Sequence, residues 1–141
     1  MAIFVFTDAK VIVNAVDLSD HATKVTVVDD RNEVDVTAFG SSYEQVTKGL
    51  GKASITVEFL QDFAAAKVAA TLQPLVGSST PIVVEIRPTS TGRSATNPAH
   101  YMASGLLFTY SGLDGEVGNA AKITAEFKNA PGGTGITYLT A

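Results

Sequence analysis

Two stretches of this chain carry residue types whose spacing invites chemistry. GLGKA at 49–53 sets two glycines before a lysine, as a phosphate-cradling loop does. That motif needs a glycine where Val46 stands and a serine or threonine where Ala53 stands, so a flexible loop is the better reading. Asp17, Asp20 and His21 place oxygen and nitrogen donors close together. With no further ligand nearby, the run reads as a turn held by its own hydrogen bonds. His100 has no neighbour of catalytic type, and no serine sits in a GxSxG elbow, so a hydrolytic triad lacks support. Asp29, Asp30, Glu33 and Asp35 could supply a carboxylate pair as in a glycosidase, but acids so dense, with only Arg31 to balance them, read as a solvated turn or strand face. The chain has no cysteine and no tryptophan. The expectation is therefore no catalytic residue, no metal and no cofactor: not an enzyme.

The elements that must position these residues are mostly strands. The clearest change of hydrophobic period lies between Ala53 and Pro88. Ile55, Val57 and Phe59 alternate with Ser54, Thr56 and Glu58, which predicts a strand with one buried face. Asp62 is expected to cap a helix over the alanine-rich FAAAKVAATLQ, with Val68, Leu72 and Leu75 as its apolar stripe and Pro74 and Gly77 closing it. Ile82, Val84 and Ile86 then restart a strand.

Length and charge bound the rest. A chain of 141 residues makes one domain with a real core. A net charge of −4 argues against a nucleic-acid-binding module, which would carry a basic patch. The start, MAIFVF, is too short and lacks the basic flank of a signal peptide, and no run approaches a bilayer span. These readings predict a soluble protein made in a cytoplasm, with no membrane partner.

In chain order, Val11 to Val16 is a short β-rich run, followed by a turn at VDLSDH. His21 to Asp29 alternates, with Thr23, Val25 and Val27 on one face. From Thr37 to Lys52 both periods vanish, which predicts a long loop; its spotting with Phe39, Tyr43, Val46 and Leu50 argues for packing on a surface, such as a neighbour's. Thr89 to Pro98 is a second polar loop. Tyr101 to Tyr110 reads as a strand with Leu106, Phe108 and Tyr110 on one face. Asp114 and Gly115 suggest a type I′ turn, and Asn119 to Phe127 alternates again with Ile123, Ala125 and Phe127 inward. The glycine-rich arm 131–141 could add an edge strand at Ile136 to Leu139, dock on a neighbour's sheet edge, or fray. Roughly seven strands and one helix predict a mainly β fold, a β-sandwich or partly closed barrel with one flanking α-helix.

The ordered set VDLSDHATKVTV, EVDVTAFG, YEQVTKGLGKASITVEFLQDFA, LQPLVG, TPIVVEIRP and SATNPAHYMASGLLF resembles the major tail, or tail tube, proteins of long-tailed bacteriophages, from about Val11 to about Phe127. The resemblance implies a single tail-tube-like domain over 1–141, in hexameric rings that stack as the tube through which the genome passes. It implies a virion location and, as partners, further copies of itself, other phage tail proteins, and passing DNA without specific binding. Within it, Phe39, Tyr43, Val46 and Leu50 would form an inter-subunit loop. Asp29, Asp30, Glu33 and Asp35 would face the lumen, where like charge keeps DNA from sticking. The alternatives are a tail terminator or neck ring, a capsid decoration protein, or a monomeric immunoglobulin-like adhesion module.

Overall fold

The computed structural model describes residues 3–141; the first two residues of the MAIFVF start lie outside it. Eight strands form one antiparallel sheet. They are β1 (Lys10–Val13), β2 (Val16–Asp17), β3 (Ala22–Asp35), β4 (Val46–Leu60), β5 (Ile82–Arg87), β6 (Ala99–Tyr110), β7 (Lys122–Asn129) and β8 (Ile136–Leu139), with a short helix α1 (Val68–Leu72) continued by a 3₁₀ turn, Gln73–Leu75. The order is β2-β1-β5-β6-β7-β4-β3, open between its ends, and β8 pairs with β6. The fold is thus mainly β with a small flanking helix.

A single cluster makes the core. It takes Val11 and Val13 from β1, Ile55, Val57 and Phe59 from β4, Ile82, Val84 and Ile86 from β5, and Ile123, Ala125 and Phe127 from β7. Val68, Leu72 and Leu75 cover it from the helix, the stripe expected from their spacing. Each large side chain so buried contributes about 1.5–3 kcal/mol relative to exposure, which is how the sheet holds together without disulfides.

Several local expectations change. Asp62 does not cap the helix. Its Oδ1 accepts from the Ala64 amide at 2.9 Å, its carbonyl accepts from Ala69 at 3.0 Å, and Ala66 takes φ 60°. These bonds wind 61–67 into an irregular segment, so the helix starts only at Val68. The type I′ turn is not at Asp114 and Gly115: Gly115 is not among the residues with positive φ. It stands instead between β1 and β2, where Asn14 (φ 49°) and Ala15 (φ 65°) are both left-handed and Val13 pairs with Val16. On β6 Leu107, not Leu106 or Phe108, faces the core, and a register shift between Leu107 and Thr109 leaves Phe108 and Thr109 both exposed before Tyr110 turns back toward the core.

The largest difference concerns 37–52. The second half of that expected loop is strand, because β4 begins at Val46 and pairs with β3 to its end. Gly49 and Gly51 hid the strand by breaking its apolar alternation, yet both have a packing reason. A Cβ on Gly49 would stand 2.8 Å from Val34 Cγ2, and one on Gly51 would stand 2.8 Å from an Arg31 guanidinium nitrogen. The glycines let side chains of β3 lie across β4.

The glycine-rich arm is also built. β7 and β8 pair with the same flank of β6, β7 along Gly105–Tyr110 and β8 along Ala99–Met102. Between them the chain detours through Gly132 (φ 77°) and Gly135 (φ 75°), a conformation that suits glycine. Asn129 holds the detour, accepting from the Gly135 amide at 3.0 Å and donating to the Gly133 carbonyl at 3.1 Å. Ile136–Leu139 thus adds a strand to its own sheet.

Candidate functional site

β3 and β4 are the longest strands, at 14 and 15 residues, and only part of their length rests on the core. β4 pairs with β7 over Ser54–Leu60, whereas from Val46 to Ala53 it pairs only with β3. At about 3.3 Å per residue the unsupported stretch carries the hairpin roughly 25 Å beyond the sheet. It is an arm.

Local chemistry stiffens this arm. The Val36 amide donates to the Gln45 carbonyl at 2.9 Å, the Gln45 amide donates to Thr37 Oγ1 at 2.7 Å, and the Thr37 amide donates to Asp35 Oδ1 at 2.9 Å. These bonds close the neck of the loop and hold the Asp35 carboxyl below its ordinary value. A register shift between Arg31 and Glu33 sets one residue, Asn32, against Gly49 and Leu50, a bulge that adds twist.

The four residues expected at an inter-subunit contact all lie on the arm. Phe39 (109% exposed) and Tyr43 (84%) are at its tip, while Val46 (51%) and Leu50 (81%) are on β4 rather than in a loop. Val34 on β3 and Val36 just past its end, which the sequence reading passed over, extend the exposed apolar surface. Their signal was present in EVDVT, an alternation that continues the strand past Asp29. Ile3, Phe4, Val5 and Phe6 are a second exposed apolar run. Exposed large apolar residues contiguous over an extended element mark an interaction surface, because water gains nothing from meeting them.

The four acids are on β3 but do not share one face. Asp29 lies opposite Ala53, and Asp30, its neighbour, points to the other side, opposite Lys52. Glu33 lies opposite Lys48, Asp35 opposite Val46, and Arg31 reaches Asp29 at 2.5 Å. The acids are therefore interleaved with basic residues that sequence distance concealed.

The residues with ligand-like types are engaged structurally. The Ser19 amide donates to Asp17 Oδ1 at 3.0 Å, and Lys10 pairs with Asp17 Oδ2. His21 sits between Asp20 and Asp62, each 2.8 Å from a ring nitrogen. His100 stacks edge-on against Tyr138. GLGKA lies within β4, with no helix after it to point amides at a phosphate. Among the described residues no three or more His, Asp or Glu side chains gather as a metal site. No described helix is long and apolar enough to cross a membrane.

A second polar construction holds the loop 88–98. Asn97, 5% exposed, accepts from the Thr89 amide at 2.9 Å and donates to the Thr91 and Gly92 carbonyls at 2.9 and 3.0 Å. Arg93 Nε lies 2.8 Å from the buried Glu85 carboxylate, pinning the loop to β5.

No protein-family model matches the chain, and no curated protein sequence does. Solved structures do share the fold. A chain from the virion of a native gene transfer agent particle aligns with a TM-score of 0.69 at 11% identity, covering 93% of this chain and 95% of that one. A chain from the tail of an empty gene transfer agent particle with C6 symmetry aligns with a TM-score of 0.60 at 13% identity, covering 84% and 81%. A chain from the sheath–tube complex of an extracellular contractile injection system in its extended state aligns with a TM-score of 0.71 at 8% identity, covering 99% and 93%. The chain has the β-rich fold of phage-like tail components.

Proposed function

We propose that this chain is a structural subunit of a phage-like tail tube, that it assembles with copies of itself into hexameric rings, and that the rings stack into a conduit for DNA. The observation that carries the reading is the β3–β4 arm, whose tip residues Phe39 and Tyr43 are exposed almost without contact in the single chain. A monomer gains nothing by ordering such an arm in water. A second copy seated on it would bury Phe39, Tyr43, Val46 and Leu50, and a symmetric assembly repeats that contact around a ring. The fold likeness to chains of a C6 tail and of a sheath–tube complex supports the same architecture.

The subunit's role is structural rather than enzymatic, its place is the virion, and its partners are its own copies and other tail proteins. In a ring whose lumen meets the arm, Asp29, Asp30, Glu33 and Asp35 would keep DNA from adhering, since like charges repel within a Debye length of about 8 Å at physiological salt.

Electron microscopy of the purified protein across a concentration series tests the proposal. Rings that stack into tubes are the expected result. Rings that never stack would shift the role to a terminator, and a monomer at every concentration, with or without tail-initiating proteins, would overturn self-assembly.

A further inference from the structure

His21 stands at the junction of two segments that nothing else in the cluster joins so directly. Its Nδ1 lies 2.8 Å from Asp20 Oδ1, in the turn before β3, and its Nε2 lies 2.8 Å from Asp62 Oδ2, at the head of the segment 61–67 that leads into α1. A neutral imidazole has one N–H and can donate to one carboxylate only; the imidazolium has two and satisfies both. Lys67, at the far end of the same segment, reaches Asp20 Oδ2 at 3.4 Å. With His21 protonated, the cluster of Asp20, His21, Asp62 and Lys67 is neutral. Without that proton it carries an unbalanced negative charge.

We propose that His21 is a protonation-dependent latch: the imidazolium ties the segment 61–67 to the turn before β3 through both carboxylates, and loss of the ring proton leaves one N–H for two carboxylates and loosens that segment. The backbone around the latch makes it readable. The Leu60 amide donates to the His21 carbonyl at 2.7 Å, and Ala64 and Ala69 both donate to Asp62. Phe63, 70% exposed, rides on the latched segment, so its presentation to a partner changes with the proton.

The electrostatics point the same way. The hydrogen bond to Asp20, opposed by desolvation and joined by the bond to Asp62, raises the His21 pKa above its ordinary 6.5. The Asp20 and Asp62 carboxyls are lowered from 3.8, Asp20 chiefly by His21 and Asp62 chiefly by the Ala64 amide with His21 next. A raised imidazole pKa stabilises the closed latch fully below 6.5 and loses that contribution as pH rises through the raised value. Lowered carboxyl pKa values stabilise it above 3.8 and lose that contribution as pH falls through the lowered values. The latch is tightest between these limits and loosens on either side.

The test is proton NMR titration of the ring together with amide exchange at Leu60, Ala64 and Ala69. The chain has two histidines, so His100→Gln leaves one ring signal to follow. The expected result is a His21 midpoint above 6.5, with Ala64 and Ala69 losing protection across that same midpoint after correction for intrinsic rates, while Val57 and Ala125 in the sheet do not. Asp62→Asn should move the midpoint back toward 6.5, and His21→Gln should remove the step. A wild-type midpoint at or below 6.5, or protection at Ala64 and Ala69 unchanged through it, overturns the proposal even if either variant fails to fold.

Discussion

The Asn129 side-chain oxygen stands 2.2 Å from the point where a Cβ on Gly133 would lie, and the Ala130 carbonyl stands 3.0 Å from the same point. A side chain fits there only if the Asn129 amide gives up its place. The detour between β7 and β8 therefore depends on a glycine at 133 and on an amide at 129 able to donate to Gly133 and accept from Gly135.

Gly133→Ala and Asn129→Ala should each destabilise the domain by about 1–2 kcal/mol, the cost of breaking one or two hydrogen bonds of this kind. Because both act on one contact, the double variant should cost clearly less than the sum. Urea unfolding of the four proteins checks this; simple additivity would show that the Asn129 side chain and Gly133 are not coupled, and unchanged stability of Asn129→Ala would show that Asn129 does not hold the turn.

Phe39→Ser with Tyr43→Ser should leave the melting behaviour of the monomer within about 0.5 kcal/mol of wild type, since neither side chain packs on its own domain. The same pair should abolish tube formation in electron micrographs. Unchanged tubes would remove the arm tip from the interface.

Neutralising Asp29, Asp30, Glu33 and Asp35 together should permit assembly and slow genome release. Asp30 and Glu33 face Lys52 and Lys48 across the hairpin, so the variant should also loosen the arm by a few tenths of a kcal/mol for each pair. Ejection kinetics separate the effects: normal release would exclude these acids from the lumen, whatever the arm's stability.

Burial pushes the Asp17 carboxyl up, but the Lys10 ammonium and the Ser19 hydroxyl and amide outweigh it and bring the pKa down to about 2. A carboxyl lowered in the fold stabilises it above the ordinary 3.8 and loses that contribution as pH falls toward about 2. Wild type should therefore lose stability across that window, and Asp17→Asn should show a shallower acid limb. Equal acid limbs in thermal melts at several pH values would show that the Asp17 carboxylate's contacts with Lys10 and Ser19 contribute nothing.

Phe127→Ala should cost about 3–5 kcal/mol, because the ring is fully buried between β4 and β6 and its removal leaves a cavity. Calorimetry checks the magnitude, and a loss under 1 kcal/mol would mean that the site collapses to fill the space.

The amino-acid sequence by itself determined the inward faces. Ile55, Val57 and Phe59, then Ile82, Val84 and Ile86, then Ile123, Ala125 and Phe127 repeat at the period of a strand, and Val68, Leu72 and Leu75 at that of a helix, because burial on one face is written in local spacing. It also determined the apolar spotting of Phe39, Tyr43, Val46 and Leu50. What only the tertiary structure decided rests on partners distant in the chain. Gly49 and Gly51 look like loop residues until Val34 and Arg31 are seen lying across them, and Asp62 looks like a helix cap until His21, 41 residues away, takes its other oxygen. The acids of β3 look unbalanced until register sets Lys48 and Lys52 opposite them. Periodicity reports which side of an element is buried; it carries no record of what the other strand places there, since that depends on a register fixed only when the whole sheet closes on its core.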